Sequence, residues 1–317
     1  AAAANSLPFR ARGTQVQVFQ STITATTPIS NALVYHLPTS ANHVAQPLAD
    51  ASGIPDRTNA QGYLQGHGQI AIGDRLIALL PITSTHSYTL YYTSATPTLN
   101  GLAAYTVTNA GVQTLTVTAT HPLLLFNLTV ALEWDARNDP AFQAQLRANL
   151  QRSSELLYTW TNGQAALGNI TIYHNRQHWN EANIRILASN RLRPNSDQGG
   201  ILSAPLTETA TITKNGVFIT TTLAYHPGQV RMPVVWTRFG ATDNANLGED
   251  WPRALAHELG HYLFFLYDNY LGADANGAFV AVNASDCPGA MTDPYRDDKF
   301  VISPGWPGKT KPGCENS

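Results

Sequence analysis

One short segment constrains this chain more than any other, and it reads His257-Glu258-Leu259-Gly260-His261. Because an α-helix repeats about every 3.6 residues, two histidines four positions apart lie on the same helix face. Two imidazole nitrogens on that face can bind one metal ion, and the adjacent glutamate can act as a general base on a water molecule. The segment therefore predicts a buried helix with a zinc site of the hydrolytic kind.

The flanking residues favour this helix. Asp250 and Pro252 predict its start, with Asp250 as the N-cap and the proline in the first turn. Apolar residues then recur at helical spacing, at Ala254, Leu255, Leu259, Leu263 and Phe264. A core helix that carries these polar residues by chance is the alternative, but burying two histidines and a glutamate without a partner is costly.

A catalytic zinc site needs a third protein ligand and one open position. After His261 the sequence has a single glutamate, Glu315, which nearly excludes the thermolysin-like class with its glutamate on a second helix. Asp268 is the candidate third ligand. On an unbroken helix it would lie about 10 Å along the axis from His261, at about 1.5 Å per residue. It can therefore bind the same ion only if the helix ends and the chain turns back.

The motif and the triplet that follows it resemble the metzincin metalloproteases, in the residues His257-Glu258-x-x-His261 and Asp268-Asn269-Tyr270. The similarity is greatest to the protease domain of the calcium-activated chloride channel regulators and their bacterial relatives. The resemblance implies that the two histidines and Asp268 bind zinc, and that Glu258 is the general base in peptide-bond hydrolysis.

This chain departs from the family pattern at two positions. Phe265 stands where the family has a turn glycine, and Asn269 stands where it has a glutamate. The glycine position usually takes a backbone conformation that is favourable only without a Cβ atom. The assignment of Asp268 as a ligand therefore depends on how the chain turns at Phe265.

A second resemblance lies downstream, where residues 287–293 read Cys-Pro-Gly-Ala-Met-Thr-Asp. They are similar to the metzincin Met-turn, which implies that Met291 packs beneath the metal; an ordinary turn with a buried methionine is the alternative. Tyr295 resembles a catalytic tyrosine that some metzincins carry at a different spacing after the methionine. A core or surface tyrosine is the simpler interpretation of that residue.

The remaining elements also follow the order of a metzincin upper subdomain. We expect strands at residues 128–134, 169–173, 183–187 and 232–239, and an amphipathic helix from Asp139 to about Trp160. Residues 208–222 read as a hairpin with Asn215-Gly216 at its turn. Residues 199–204 resemble the edge strand that pairs with substrate backbone, which implies substrate-binding roles for Gly200, Ile201, Leu202 and Ser203.

The first 125 residues are rich in Thr, Val, Ile and Tyr, with strands separated by Pro, Gly and Asn. This pattern predicts an all-β sandwich, with strands at residues 14–24 and 104–118. Residues 56–63 and 73–79 loosely resemble transthyretin-like or carboxypeptidase-regulatory-like repeats. The expected fold is a β-sandwich accessory domain at residues 1–125, followed at residues 126–317 by an α+β, metzincin-like zincin domain with a mixed twisted sheet and an active-site helix.

The composition argues against two kinds of partner, nucleic acid and a membrane that the chain would span. Charged residues make up 13% of the chain, the formal net charge is −2, and no basic stripe indicates nucleic-acid binding. No apolar run approaches the roughly 20 residues of a membrane span. The start Ala1-Ala-Ala-Ala-Asn5 and the scarcity of lysine are consistent with a secreted, extracellular or cell-surface protein, although an expression boundary explains the start equally well.

Two further sites are suggested by residue type. Cys287 and Cys314 would pair in an exported protein, in a disulfide that contributes about 3–4 kcal/mol in the chain-entropy model. Two free thiols, or a cysteine that blocks the zinc, are the alternatives. Oxygen-rich loops at residues 243–246 and 274–277 could bind Ca²⁺, but Asx-turns explain both loops more simply.

These patterns together predict a secreted zinc endopeptidase that acts on a protein or peptide substrate, with its oligomeric state undetermined. Two other functions stay open. One is a non-catalytic adhesion or scaffold protein with a structural zinc site, which would need a fourth protein ligand. The other is a latent protease whose cleft is shielded by the β-domain.

Overall fold

A computed structural model describes residues 15–22, 25–37, 46–49, 52–64, 70–98, 101–189, 191–214, 217–238, 248–268, 271–273, 279–281, 289–295 and 300. The chain divides into two compact units, Ala1–Leu125 and Phe126–Ser317. Its described part is mostly β, with a mixed sheet and two helices, so the fold is broadly α+β. No helix among these residues is long and apolar enough to cross a membrane.

In its described residues the first unit consists of strands, the last of which continues past Leu125 into the second unit. In chain order they are β1 Gln15–Ser21, β2 Thr26–Pro28, β3 Leu33–Leu37, β4 Gln46–Pro47, β5 Arg75–Ser84, β6 Tyr88–Thr93, β7 Thr96–Thr98, β8 Gly101–Ala103, β9 Tyr105–Thr106 and β10 Val112–Leu132. Strands β4, β3, β5 and β6 form consecutive antiparallel pairs. Strand β1 runs parallel to β10 and antiparallel to β2.

The core of this unit is formed by strands along which buried and exposed residues alternate. In β1 Val16 and Val18 are buried, and in β10 Leu115 and Val117 face the same cluster. Such a period of two is expected of strands with one buried face. The strands predicted at residues 14–24 and 104–118 are therefore confirmed, as β1 and as β9 with the start of β10.

The second unit contains both helices. Its elements are α1 Pro140–Trp160, β11 Ala165–Tyr173, β12 Ile184–Leu187, β13 Asn195–Ser196, β14 Leu206–Lys214, β15 Val217–Tyr225, β16 Val230–Pro233, α2 Asp250–Phe264, β17 Leu271–Ala273 and β18 Phe279–Ala281. The sheet order is β13-β16-β12-β10, with β11 also paired to β10. Strand β12 is parallel to β10 and β16, whereas β13 is antiparallel to β16, which makes the sheet mixed.

Helix α1 begins and ends where the sequence predicts. The Asp139 side chain accepts a hydrogen bond from the Phe142 backbone N–H at 2.9 Å, and Pro140 occupies the first turn. Its buried residues repeat at helical spacing and include Leu146, Leu150, Leu157 and Trp160. The predicted hairpin is also confirmed, because β14 and β15 pair antiparallel from Leu206↔Tyr225 to Lys214↔Val217.

Two predicted strands differ from the structure. Residues 199–204 are not an edge strand: Gly199 has a φ of 65°, and residues 198–201 form a turn in which Gly200 N–H donates to Asp197 O. The edge strand is β13, a few residues earlier. The strand expected at residues 232–239 is β16, which ends at Pro233. Both cysteines, both candidate Ca²⁺ loops and Asn215-Gly216 lie outside the described residues.

Candidate metal centre

Helix α2 carries the motif and is buried along most of its length. It begins at Asp250, one residue earlier than an Asp250 N-cap would require, because Glu249 holds the N-cap position. The Asp250 carboxylate instead accepts a hydrogen bond from the Arg238 backbone N–H at 3.0 Å. The Trp251 indole donates to Pro233 O at 2.9 Å, which fixes the start of the helix against the end of β16.

Each motif histidine is oriented through its Nδ1 atom. His257 Nδ1 lies 2.8 Å from Ala290 O, and His261 Nδ1 lies 2.5 Å from Leu266 O. A carbonyl oxygen only accepts hydrogen bonds, so in each neutral ring Nδ1 carries the proton and Nε2 keeps its lone pair. This is the arrangement in which a backbone carbonyl orients a metal-binding imidazole.

The Asp268 carboxylate is the third member of this group. Its Oδ1 atom lies 3.1 Å from His257 Nε2 and 3.2 Å from His261 Nε2. Atoms bound tetrahedrally to one zinc at about 2.0–2.1 Å are about 3.3 Å apart, so this spacing is close to that of a zinc ligand set. Within the described residues these three form the one group of His, Cys, Asp or Glu side chains with ligand atoms within 4.8 Å of one another.

The chemistry of this donor set fits a metal. Two imidazole lone pairs and a carboxylate oxygen are all electron-rich, and both rings are largely buried. Such atoms repel one another at this distance unless a proton or a cation lies between them. Two nitrogens and one carboxylate oxygen form a donor set that is typical of catalytic zinc, and three protein ligands leave a coordination position open.

Proximity of these groups also changes the acid–base behaviour of His261. Burial by itself lowers its pKa, but the hydrogen bond and charge of Asp268 act against burial, with smaller contributions from Leu266 O and Glu258. The net pKa of His261 is raised above its usual value in the metal-free protein. A bound cation would therefore compete with a proton at this ring.

The chain reaches this geometry by turning sharply at Phe265. This residue ends α2 in the left-handed conformation, with φ 60° and ψ 20°. The turn therefore has the backbone conformation expected at the family's glycine position, although a phenylalanine occupies it. The Phe265 N–H donates to His261 O and the Leu266 N–H to Gly260 O, at 3.2 and 3.3 Å. Left-handed backbone costs about 1–2 kcal/mol for a residue with a Cβ atom.

Contacts from the turn at residues 198–201 hold Phe265 in this conformation. The Gln198 side-chain amide donates to Phe265 O at 2.6 Å. The Phe265 ring covers Gly199 so closely that a Cβ there would lie 2.3 Å from a ring carbon. The ring also meets Tyr225 edge to face, with the centroids 4.9 Å apart.

The same turn donates further hydrogen bonds to the last carbonyls of α2. Gly199 N–H donates to His261 O at 2.9 Å, and Ile201 N–H donates to Tyr262 O at 3.3 Å. A Cβ on Gly200 would lie 2.7 Å from the Tyr262 ring. Residues expected to pair with substrate as an edge strand therefore cap the metal-binding helix, and only the half-buried Leu202 and exposed Ser203 lie beyond the turn.

Glu258 lies on the same side of α2 as the ligands. At about 100° per residue it is about 60° around the helix from His261. Its side chain is buried, with 7% of the residue exposed, and its Oε2 atom accepts a hydrogen bond from Ser196 Oγ at 2.7 Å. Sequence reasoning missed Ser196, because it lies 62 residues from its partner in a strand of two residues.

Met291 packs against the middle of α2. Thr292 and Asp293 N–H both donate to Gly289 O, which forms a turn. Met291 is buried, and a Cβ on Gly260 would lie 2.8 Å from its sulfur. The glycine inside the motif therefore leaves room for the methionine against α2. The residue before it, Ala290, supplies the carbonyl that orients His257.

The Tyr295 side chain contacts the segment that leads from β16 to α2. Its hydroxyl accepts a hydrogen bond from Trp236 Nε1 at 2.7 Å, and the Arg238 guanidinium lies 4.9 Å from its ring centroid. Burial raises its pKa, and the bond from Trp236 opposes that rise. These contacts tie Tyr295 to the segment between β16 and α2, so its catalytic role stays a prediction.

Comparison with known proteins adds no further assignment. The chain matches no protein-family model, no curated protein and no solved structure. Its function therefore has to be argued from the motif and from the geometry of the two histidines, Asp268, Glu258 and Met291 along the C-terminal half of α2.

Proposed function

We propose that this chain is a zinc-dependent endopeptidase of metzincin type, secreted and acting on a protein or peptide substrate. The observation that carries the proposal is the convergence of His257 Nε2, His261 Nε2 and Asp268 Oδ1. Both histidines have their Nδ1 atoms on backbone carbonyls, so their Nε2 lone pairs are directed into the same space.

The donor set favours an enzyme over a structural zinc site. A closed structural site has four protein ligands, whereas a catalytic site has three and an open position. The group consists of two histidines and one aspartate, whereas structural zinc sites are typically built from cysteines, alone or with histidine. Two imidazoles and one carboxylate also suit zinc better than Mg²⁺ or Ca²⁺, which prefer all-oxygen sites.

The chain's own residues supply the acid–base chemistry. Zinc bound by the three ligands would act as a Lewis acid that polarises the scissile carbonyl and lowers the pKa of water. Glu258 accepts a proton from water as the water oxygen bonds to the carbonyl carbon. It then donates that proton to the amine nitrogen as the C–N bond breaks. A buried carboxylate one residue from a ligand is suitably placed for both steps.

We propose that β13, rather than residues 200–203, aligns the substrate. Strand β13 lies at the edge of the sheet in the order β13-β16-β12-β10, and Ser196 at its end contacts Glu258. An edge strand can pair with an extended peptide through main-chain hydrogen bonds. A peptide on this edge would lie beside the general base.

The experiment compares zinc content and peptide cleavage in the purified wild type and in Glu258→Ala. We expect both proteins to bind one zinc, measured by plasma mass spectrometry, and we expect kcat/KM on a mixed peptide library to fall by about 10²–10⁴ in the variant. Glu181→Ala, at an exposed glutamate in the same unit, is the matched control. Equal cleavage by wild type and Glu258→Ala would rule out this mechanism.

A further inference from the structure

Ser196, which lies outside α2, donates a hydrogen bond to the proposed general base. From this contact we propose that Ser196 is a positioning residue, which fixes the Glu258 carboxylate so that one oxygen stays available for the proton. This inference rests on the proposed peptidase function. It adds a residue that neither the motif nor the family resemblance indicates.

The contact is short and directional. Ser196 Oγ donates to Glu258 Oε2 at 2.7 Å. Among the described residues, Ser196 is the one side chain that donates a hydrogen bond to this carboxylate. A buried carboxylate needs such a donor, because it has lost the hydrogen bonds of water. With Oε2 engaged by the serine, the proton acceptor in catalysis is Oε1.

The backbone around Ser196 is held on both sides. Ser196 pairs with Val230 in the antiparallel β13–β16 ladder. The next residue, Asp197, accepts hydrogen bonds from Gln229 N–H at 2.9 Å and from the Arg231 guanidinium at 2.8 Å. With this backbone fixed, the hydroxyl can move only between the staggered χ1 positions, so it restricts the carboxylate.

The position of α2 itself does not depend on this hydroxyl. The C-terminal end of the helix is held by the backbone N–H groups of Gly199 and Ile201 and by the Gln198 side chain. Its start is held by the indole of Trp251. Removing the Ser196 hydroxyl is therefore expected to change the orientation of the Glu258 carboxylate while the two histidines stay in place.

The test compares two variants that differ in a single group, which is a hydroxyl in one and a methyl in the other. Ser196→Thr keeps the hydroxyl, and Ser196→Val replaces that hydroxyl with a methyl group while keeping the β-branched shape that suits a strand. We expect kcat of the valine variant to be about tenfold below that of the threonine variant, with KM and zinc content equal. Ser196→Ala, which adds no bulk, repeats the loss if the valine variant folds poorly.

A second measurement needs neither zinc nor activity. In the metal-free protein, the unfolding equilibrium constant of Ser196→Val is expected to exceed that of Ser196→Thr by about tenfold. In a Glu258→Ala background this ratio is expected to fall to about one, because the hydrogen-bond acceptor is gone. An unchanged ratio would show that the hydroxyl acts elsewhere.

The outcomes separate this inference from the proposed function. If the wild type cleaves, Glu258→Ala does not, and the threonine and valine variants have the same kcat, then the positioning role of Ser196 is wrong and the peptidase stands. If the wild type with bound zinc cleaves nothing, the peptidase proposal fails. In that case the catalytic role of Ser196 fails with it, while the unfolding measurement still decides whether the two side chains interact.

Discussion

Each unit of this protein contains a histidine in contact with an aspartate, and the two arrangements differ in the groups that surround the carboxylate. In the first unit His36 Nε2 lies 2.7 Å from Asp74 Oδ2, and the Ala71 backbone N–H donates to the same oxygen at 2.8 Å. In the second unit Asp268 Oδ1 lies near the Nε2 atoms of two histidines.

The difference is in the balance of donors and acceptors. One imidazole can donate to Asp74, and a backbone N–H adds a second donor, so this pair is satisfied by protein alone. At Asp268 both histidines already donate through Nδ1 to backbone carbonyls, which leaves two lone pairs and a carboxylate facing one another. A histidine–aspartate contact is thus a stronger sign of a metal site when the other ring nitrogen donates to a backbone carbonyl.

The largest effect is expected when one histidine of each arrangement is removed. His261→Ala should lower zinc affinity by about a hundredfold or more, because a ligand is lost. His36→Ala should leave zinc affinity unchanged and destabilise the first unit by about 1–3 kcal/mol, because Asp74 loses a partner while still buried. Competition with a chromophoric chelator measures both affinities. Loss of zinc binding in His36→Ala would remove the distinction between the two sites.

The second prediction compares alanine substitution at two glycines with positive φ. One lies in the turn that caps α2, and the other lies in the first unit. Gly199→Ala should cost about 3 kcal/mol, because its φ is 65° and a Cβ would meet the Phe265 ring. Gly53→Ala has a φ of 79° but nothing within 4 Å, so about 1 kcal/mol is expected. Urea unfolding followed by circular dichroism compares the two. Equal costs would mean that the packing on Phe265 is not tight.

Metal removal should act on one unit only. Zinc at a hundred times its dissociation constant stabilises the folded protein by about 2.7 kcal/mol. Chelation should therefore increase amide hydrogen exchange in α2 and in the turn at residues 289–292, while exchange in β3 and β5 stays constant. Hydrogen exchange with and without chelator, read by mass spectrometry, tests this. A uniform change over both units would contradict the local character of the site.

The smallest expected effect is on the pH dependence of folding stability, whose slope should have opposite signs with and without zinc. The pKa of His261 in the folded, metal-free protein is raised above its ordinary value of 6.5. Its contribution to stability is therefore complete below about pH 6.5 and is lost as pH rises through the raised pKa. Zinc binds the neutral ring, so stability of the zinc-loaded protein should rise over the same range. Denaturant unfolding at several pH values, with and without zinc, should give opposite slopes.

Much of the second unit follows from local sequence signals. Asp139 and Pro140 start α1 as predicted, and the apolar period of the motif region gives a buried α2. These features depend on neighbours within a few residues, so periodicity and capping preferences are sufficient to predict them. The placement of the two histidines on one helix face likewise depends only on residues four positions apart.

Features that depend on distant partners were predicted poorly. Residues 199–204 are apolar and small enough to read as a strand, yet residues 198–201 fold into the turn that caps α2. The reason is tertiary: the last carbonyls of a buried helix need donors, and this turn supplies them. Phe265 adopts the left-handed conformation because Gln198, Gly199 and Tyr225 hold it there.

The sequence by itself determined that two histidines and a glutamate share one helix, because that follows from the helical repeat. Only the tertiary structure decided that Asp268 turns back to meet them, since this requires contacts that compensate the left-handed backbone at Phe265. It likewise brought Ser196 to Glu258 across 62 residues. Sequence spacing fixes which side chains share a helix face, whereas packing between distant segments decides which of them converge at one point.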